Sequence, residues 1–298
     1  WSTDPNTWGE GFLSAYSPDQ FALLEQYTPY NTIWAPYYTL HKITAGMIDC
    51  YQYGGNEEAL EVAKGIGTWI YRRLSGCTDE EQREKMWAMY IAGEYGGMYE
   101  SLARLYEITG EEKFMEAAKM FDHKSWFADL AANIDVVQNK HANQHIPRIV
   151  GAIHEYAATG DVSCYNTAYN FWNIVTQRYA YSIGGVGTGE MFKDPYEQGN
   201  NILGNTGRGE NCETCAAYNM LKLTEYIFQW DHESKYTDYY ENVLYNQILG
   251  SQNSEGYKTY SVDRSMGAST VFLSHDNFEC CLGTGMENPG RYHRMIYY

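Results

Sequence analysis

Positive charge is scarce in this chain: 21 Lys and Arg stand against 38 Asp and Glu, a formal net charge of -17. Such a surface repels a polyphosphate backbone, which argues against nucleic-acid partners, and it disfavours an anionic membrane for the same reason. No apolar run approaches the ~18 residues that a membrane-spanning helix needs. A signal-like start is missing too; Trp1-Ser2-Thr3-Asp4, without an initiator Met, reads as a processed form or an excised piece. Neither compartment nor oligomeric state is assigned. Seven Cys in 298 residues, an odd number without tight spacing, do not make a disulfide scaffold. Cys50, Cys77 and Cys164 are isolated and read as packing residues, whereas Cys212, Cys215, Cys280 and Cys281 come in pairs. Strand-like alternation is scarce before residue 250.

What is abundant is aromatic surface and helical periodicity. Aromatics make up 16% of the chain, with 29 Tyr and 8 Trp. Most of these rings pack helix against helix, but the surplus tilts the reading towards a carbohydrate or another flat, polar ligand. Apolar residues are 44%, enough for one large core. Residues 36 to 53 carry apolar side chains at helical spacing, and a second helix is predicted from Glu57 through Ile70 after the turn Gly54-Gly55-Asn56. The punctuation returns at Thr109-Gly110-Glu111 and Thr159-Gly160-Asp161, and a degenerate copy without Gly stands at Gln229–Glu233. Gly55, Gly110 and Gly160 are roughly 50–55 residues apart, the length of two helices and two connections. A glycine suits the left-handed position after a helix, and acids suit the next helix start. The pattern predicts an all-α fold of αα-hairpins, and we favour a closed (α/α) toroid over an open solenoid because known solenoid repeats are absent. Residues 1–250 would form the barrel. Residues 251–298 would complete the same site with short strands at Tyr257–Val262 and Ser269–Leu273 and a strand from Arg294 to Tyr298. Long irregular inserts at 181–207 and 251–290 read as functional loops.

Chemistry concentrates in two segments, Glu213-Thr214-Cys215 and Cys280-Cys281. One carboxylate and three thiolates could close on one metal ion, and that soft set favours zinc. Glu213 and Cys215 can converge at a helix start if the first of them is still non-helical. Consecutive cysteines in a strand point to opposite faces, so Cys280 and Cys281 both ligate only if the backbone turns, for which Gly283-Thr284-Gly285 supplies freedom. Inert buried thiols are the bland alternative, and a purely structural zinc is another. Glu is unusual in closed structural sites, which favours a catalytic centre; Cys212 is a candidate substitute ligand. The Gly-rich run Gly184–Phe192 has no following Lys-Ser/Thr and fails as a phosphate loop. It would instead present Glu190, whose carboxyl in a dry aromatic pocket would be pushed up and act as a general acid. His41 reads as a polar barrel-lining residue, and the His141/His145 pair lacks the Glu of a His-Glu-x-x-His zinc motif. Glu94 and Glu100 are pocket or surface residues with equal claim.

Taken in order, Tyr38–Ile43, Lys140–Pro147, Gly184–Phe192, Glu213-Thr214-Cys215, Tyr218–Leu223 and Cys280–Gly285 resemble the β-L-arabinofuranosidases of glycoside hydrolase family 127 and the related family 146. The resemblance covers nearly the whole chain. It implies an (α/α)6 barrel followed by β-sandwich domains, of which this chain would stop short. It also implies a zinc held by Glu213, Cys215, Cys280 and Cys281, with Cys280 as nucleophile and Glu190 as acid/base. His141, Glu241, Tyr260 and His41 would lie by the sugar. Cys212 departs from the family pattern, and Leu282-Gly283-Thr284-Gly285 leans to the family 146 side. The expected activity is retaining hydrolysis that releases β-linked L-arabinofuranose from plant glycans. The alternatives are a related toroid hydrolase on another pectin sugar, and a carbohydrate-binding domain with a structural zinc.

Overall fold

The computed structural model describes residues 8–204, 211–274 and 276–296, apart from the side chain of Cys77. Its helices are α1 (Pro18–Glu25), α2 (Pro36–Gly54), α3 (Glu57–Cys77), α4 (Glu80–Trp87), α5 (Gly96–Thr109), α6 (Glu112–Lys119), α7 (Lys124–Ala131), α8 (Ala142–Thr159), α9 (Val162–Arg178), α10 (Gln198–Gly204), α11 (Thr214–Phe228), α12 (Ser234–Val243) and α13 (Cys280–Glu287). β1 (Lys258–Thr259) and β2 (Phe272–Leu273) form one short antiparallel pair. The chain divides into two compact units, residues 1–128 with 150–165, and residues 129–149 with 166–298.

The hairpin punctuation appears where the sequence predicts it. Gly55, Gly110 and Gly160 all take left-handed φ, at 65°, 67° and 75°. Asn56 then caps α3 by accepting from the Ala59 amide at 3.1 Å, a contact of the kind worth about 1 kcal/mol. At the degenerate copy, Gln229 ends α11 in a right-handed conformation and needs no glycine.

In the first unit α2, α3, α5 and α6 share an apolar cluster of Ile48, Ala63, Leu105 and Phe114. Beside it lies an aromatic core in which Trp87 stacks on Phe121 at 5.1 Å and Tyr37 meets Phe121 edge-on at 5.2 Å. The Tyr37, Trp87 and Phe121 rings are thus structural. Close approach fixes some positions absolutely. A Cβ on Gly151 would lie 2.3 Å from the Tyr99 ring and 2.7 Å from its own Cβ, and Tyr99 is fully buried. Because the obstacle reaches back to Tyr99 Cβ, a rotamer change does not relieve it. Gly151→Ala should therefore cost about 2 kcal/mol net, overpacking exceeding the ~1 kcal/mol that alanine returns in a helix. A thermal melt of the variant checks this, and an unchanged or raised midpoint would refute it.

In the second unit α11 is buried on nearly all sides and packs with α12 through Ala217, Leu221, Tyr240 and Val243. Trp172 of α9 donates its indole N–H to Thr224 of α11 at 2.9 Å. Glu225, whose side chain is 3% exposed, receives Arg291 at 2.5 Å and Arg294 at 2.7 Å. That buried carboxylate ties the segment after α13 to α11, and removing one partner from such a pair typically costs ~3–5 kcal/mol.

Several expectations are corrected. Cys280 and Cys281 open a helix instead of sitting in a loop between strands. The predicted strands contract to two residues each, since only Lys258–Leu273 and Thr259–Phe272 pair. Residues 294–296 lie in a turn following a short 3-10 segment, Asn288–Arg291, so no strand begins there; Tyr297 and Tyr298 lie outside the described residues. Cys50 faces solvent on α2 and is not a packing residue; the Cys77 side chain lies outside the described residues. No helix among the described residues is long and apolar enough to cross a membrane.

Candidate active site

His141, Glu190, Glu213, Cys215, Tyr260, Cys280 and Cys281 all lie in the second unit. Four extended segments run side by side and deliver one functional side chain each. Thr188 and Met191 exchange backbone hydrogen bonds at 2.8 and 3.2 Å, closing a two-residue turn over Gly189 and Glu190. Both central residues have positive φ, 53° and 63°, the signature of the type I′ turns that suit paired strands. Glycine takes that conformation freely, whereas Glu190 adopts it at a cost that the neighbouring bonds offset. On one side of this turn, Phe192 N donates to Lys140 O and Ala142 N to Glu190 O, each at 2.8 Å. On the other side Cys212 N donates to Gly187 O at 3.1 Å. Beyond it, Val262 N donates to Cys212 O at 3.1 Å and Thr214 N to Tyr260 O at 2.9 Å. His141, Glu190, Glu213 and Tyr260 are brought together by this backbone pairing.

His141 is the N-terminal cap of α8. Its Nδ1 accepts from the Gln144 amide at 3.4 Å, which leaves the proton on Nε2, 3.3 Å from Glu190 Oε2. His145 Nδ1–H donates to the His141 carbonyl at 2.8 Å and steadies it; burial keeps the His145 ring neutral. Tyr260 donates its phenol to the other oxygen, Glu190 Oε1. The sequence-based expectation of a raised Glu190 is reversed. The His141 hydrogen bond, aided by Tyr260, holds the carboxyl below its usual range in spite of burial. Burial, with the negative charge of Glu213, Cys280 and Cys281 nearby, pushes Tyr260 far up and keeps it a donor.

The carboxylate–thiol group assembles at two helix starts. Glu213 is extended, with ψ 132°, and α11 begins at the next residue, so Glu213 and Cys215 converge. Cys280 and Cys281 occupy the first turn of α13, following Glu279 in extended conformation. The potential donor atoms of Glu213, Cys215, Cys280 and Cys281 all lie within 4.8 Å of one another. Cys281 Sγ is 3.6 Å from Glu213 Oε1; tetrahedral zinc with its usual bond lengths would separate such a pair by about 3.5 Å. The donor chemistry and the spacing therefore fit a zinc ion. Helix N-termini favour anions, so placing three thiols at two of them supports thiolates. Cys280 is pushed down by hydrogen bonds from Cys215 and Cys281, while burial drives Cys215 and Cys281 up. Cys280 is the partly exposed member of the four, and its sulfur lies 3.9 Å from the Tyr260 hydroxyl.

Other candidates fall elsewhere. Cys212 is fully buried with φ 59°, and burial raises its thiol; it is not among the four clustered donors. Glu241 is exposed on α12, and no described contact joins it to the thiols. His41 lies on α2 in the first unit, with its ring against Gly97, where a Cβ would come within 2.3 Å. Glu100 is buried on α5, also in the first unit. Two residues escaped the sequence reading. Thr284 Oγ1 is 3.3 Å from Cys215 Sγ; it stands one turn after Cys280, so a helical reading of Cys280–Gly285 would have found it. Gln247 carries no sequence signal at all.

Residues 6–294 match the family model described as beta-L-arabinofuranosidase, GH127 catalytic domain. A non-reducing end β-L-arabinofuranosidase of Bifidobacterium longum is 24% identical over 280 residues, covering 83% of this chain and 38% of the relative. Among solved structures, a GH127 β-arabinofuranosidase shares 24% identity at TM-score 0.59, over 80% of this chain and 36% of that one. A GH127 β-L-arabinofuranosidase from Geobacillus stearothermophilus T6 shares 18% at TM-score 0.62, over 86% and 45%. An inactive variant of an α-1,6-mannanase of Salegentibacter sp. shares 16% at TM-score 0.50, over 75% and 63%. The chain thus spans less than half the length of these arabinofuranosidases. The structural likenesses show the fold, an all-α (α/α)6 barrel: the hairpin repeat predicts its closed toroid and the family resemblance implies its six-fold count. With the family model spanning nearly every residue from Asn6 onward, the chain belongs to the GH127 β-L-arabinofuranosidase catalytic-domain family.

Proposed function

We propose that this chain carries the catalytic site of a retaining β-L-arabinofuranosidase that releases arabinose from plant glycans. Glu213, Cys215, Cys280 and Cys281 would hold a zinc ion; Cys280 would be the nucleophile and Glu190 the acid/base. The observation that carries the reading is the placement of Cys280: one of four clustered donors, the partly exposed one, and one phenol hydroxyl away from Glu190. A retaining glycosidase needs a nucleophile and an acid roughly 5–5.5 Å apart, and a single intervening hydroxyl is of that order.

When bound, zinc would keep the thiols deprotonated at neutral pH and moderate the basicity of the nucleophilic sulfur. The chain's own groups do the rest. The Cys280 sulfur attacks the anomeric carbon, the bond to the leaving oxygen breaks, and Glu190 delivers its proton to that oxygen. Glu190 rests as a carboxylate held by His141 and Tyr260. An entering sugar shuts out water, and the loss of solvation raises the carboxyl towards the protonated form that this step requires. In the second step Glu190, again a carboxylate, takes a proton from water, the water oxygen bonds to the anomeric carbon, and the carbon–sulfur bond breaks. His141 and Tyr260 orient Glu190 in both steps.

The test is intact-mass analysis and peptide mapping of zinc-loaded protein incubated with a β-L-arabinofuranoside bearing a good leaving group. A pentosyl adduct of about 132 Da on Cys280 is expected of this covalent route. Released aglycone with the adduct on another residue would remove Cys280 from its role. Neither adduct nor aglycone would point to another sugar or a structural metal.

A further inference from the structure

Following α12, the chain makes one π-helical turn, Leu244–Ile248. Such turns insert a residue into the helical register and commonly redirect a side chain at functional sites. Here the redirected side chain is Gln247, which is fully buried. Its Nε2 donates to two successive carbonyls, Cys212 O at 2.8 Å and Glu213 O at 3.3 Å. Its Oε1 is buried without a hydrogen-bond partner and faces Gly185, where a Cβ would lie only 2.0 Å away. The amide therefore sits between the Gly184–Glu190 loop and the backbone that bears Glu213. The preceding helix α12 holds the start of that loop as well: Tyr239 donates to Gly184 O at 2.8 Å and Asn242 to Ser182 O at 3.1 Å.

The first of the two bonded carbonyls belongs to a strained residue, because Cys212 has φ 59°. That kink lets Cys212 N pair with Gly187 O while Glu213 still reaches the thiols. An apolar side chain at 247 would fill the space without burying an unpaired oxygen, so packing alone gives no reason for an amide. Holding the 212–213 backbone does.

We propose that Gln247 is a positioning residue: through the carbonyls of Cys212 and Glu213 it sets the Glu213 carboxylate against the three thiols and thereby tunes metal affinity and geometry. This rests on the zinc reading above. Groups that orient metal ligands in this way typically account for about 10–100-fold in affinity when removed.

The experiment compares wild type, Gln247→Met and Gln247→Glu. Zinc dissociation constants come from competition with a chromophoric chelator. Cobalt(II)-loaded samples give the thiolate charge-transfer and d–d bands, and circular dichroism of the metal-free protein verifies folding. Met keeps the length without the donor, and Glu keeps the shape but turns a carboxylate on two carbonyls. Both should be folded, bind zinc about 10–100-fold more weakly and shift the cobalt bands. Folded variants with wild-type affinity and spectra overturn the proposal while leaving the zinc reading intact. Unfolding of both variants also overturns it, by making Gln247 a core residue. Wild-type protein that takes up no zinc or cobalt overturns the zinc reading, and the proposal with it.

Discussion

Cys280→Ala is expected to lower β-L-arabinofuranoside hydrolysis by ~10⁴-fold or more, the scale on which removal of a catalytic nucleophile falls. No neighbouring thiol can replace it. Cys215 and Cys281 are buried, and burial raises both thiols, whereas Cys280 is partly exposed beside Tyr260. Cys280→Ser should be nearly as inactive, because a serine hydroxyl stays protonated under conditions in which the Cys280 thiol is pushed down. Cys280 is also a proposed ligand, so a loss of activity has to be separated from a loss of metal. Zinc content and single-turnover rates on both variants do this: a variant that retains zinc and still shows no burst has lost the nucleophile. Retention of more than about a hundredth of the wild-type rate would be incompatible with covalent catalysis by Cys280.

The second large effect belongs to Glu190. Glu190→Gln should cost ~10²–10⁴-fold on substrates with alkoxide-like leaving groups, the usual worth of general acid catalysis, and far less on activated aryl glycosides that leave without a proton. The pH dependence has a definite sign. In the proposed mechanism the acid step needs protonated Glu190, so kcat/KM should be full below its pKa and fall as pH rises through it. His141 holds that pKa below the ordinary carboxylate range, which places this limb on the acid side. Replacing His141 by Phe removes the strongest stabiliser of the charged form and should move the limb to higher pH. In Glu190→Gln the limb should vanish. A Gln variant that kept the limb would place the acid elsewhere. A His141→Phe variant with an unmoved limb would mean that the contact at 3.3 Å has no bearing on Glu190 in solution.

Much of this was legible without coordinates, and the reasons are local. Gly55, Gly110 and Gly160 mark helix ends because a left-handed residue after a helix strongly prefers glycine, wherever the helix packs. Glu213 and Cys215 announce their convergence because i and i+2 at a helix start share one turn of backbone. The paired strands were overread: the apolar alternation at 257–262 and 269–273 is real, but only two residues of each find a partner. The Cys280–Cys281 run was misassigned because two Cys, three small residues and a Leu carry weak propensity either way. Its helix follows from packing against α11 and β1. The direction of the Glu190 shift was misjudged because burial was legible and the donors were not: Tyr260 lies 70 residues away in sequence.

By itself, the sequence determined the hairpin repeat, the all-α class and the residue types of a Glu/Cys cluster that could hold a metal ion, each through short-range backbone preference or donor chemistry. Tertiary structure decided which thiol is exposed, which oxygen of Glu190 meets His141 and which meets Tyr260, and that a π-turn brings Gln247 beneath Glu213. Those outcomes depend on segments separated by tens of residues meeting to within a few tenths of an ångström. Hydrogen-bond geometry and solvent exclusion act only at that range.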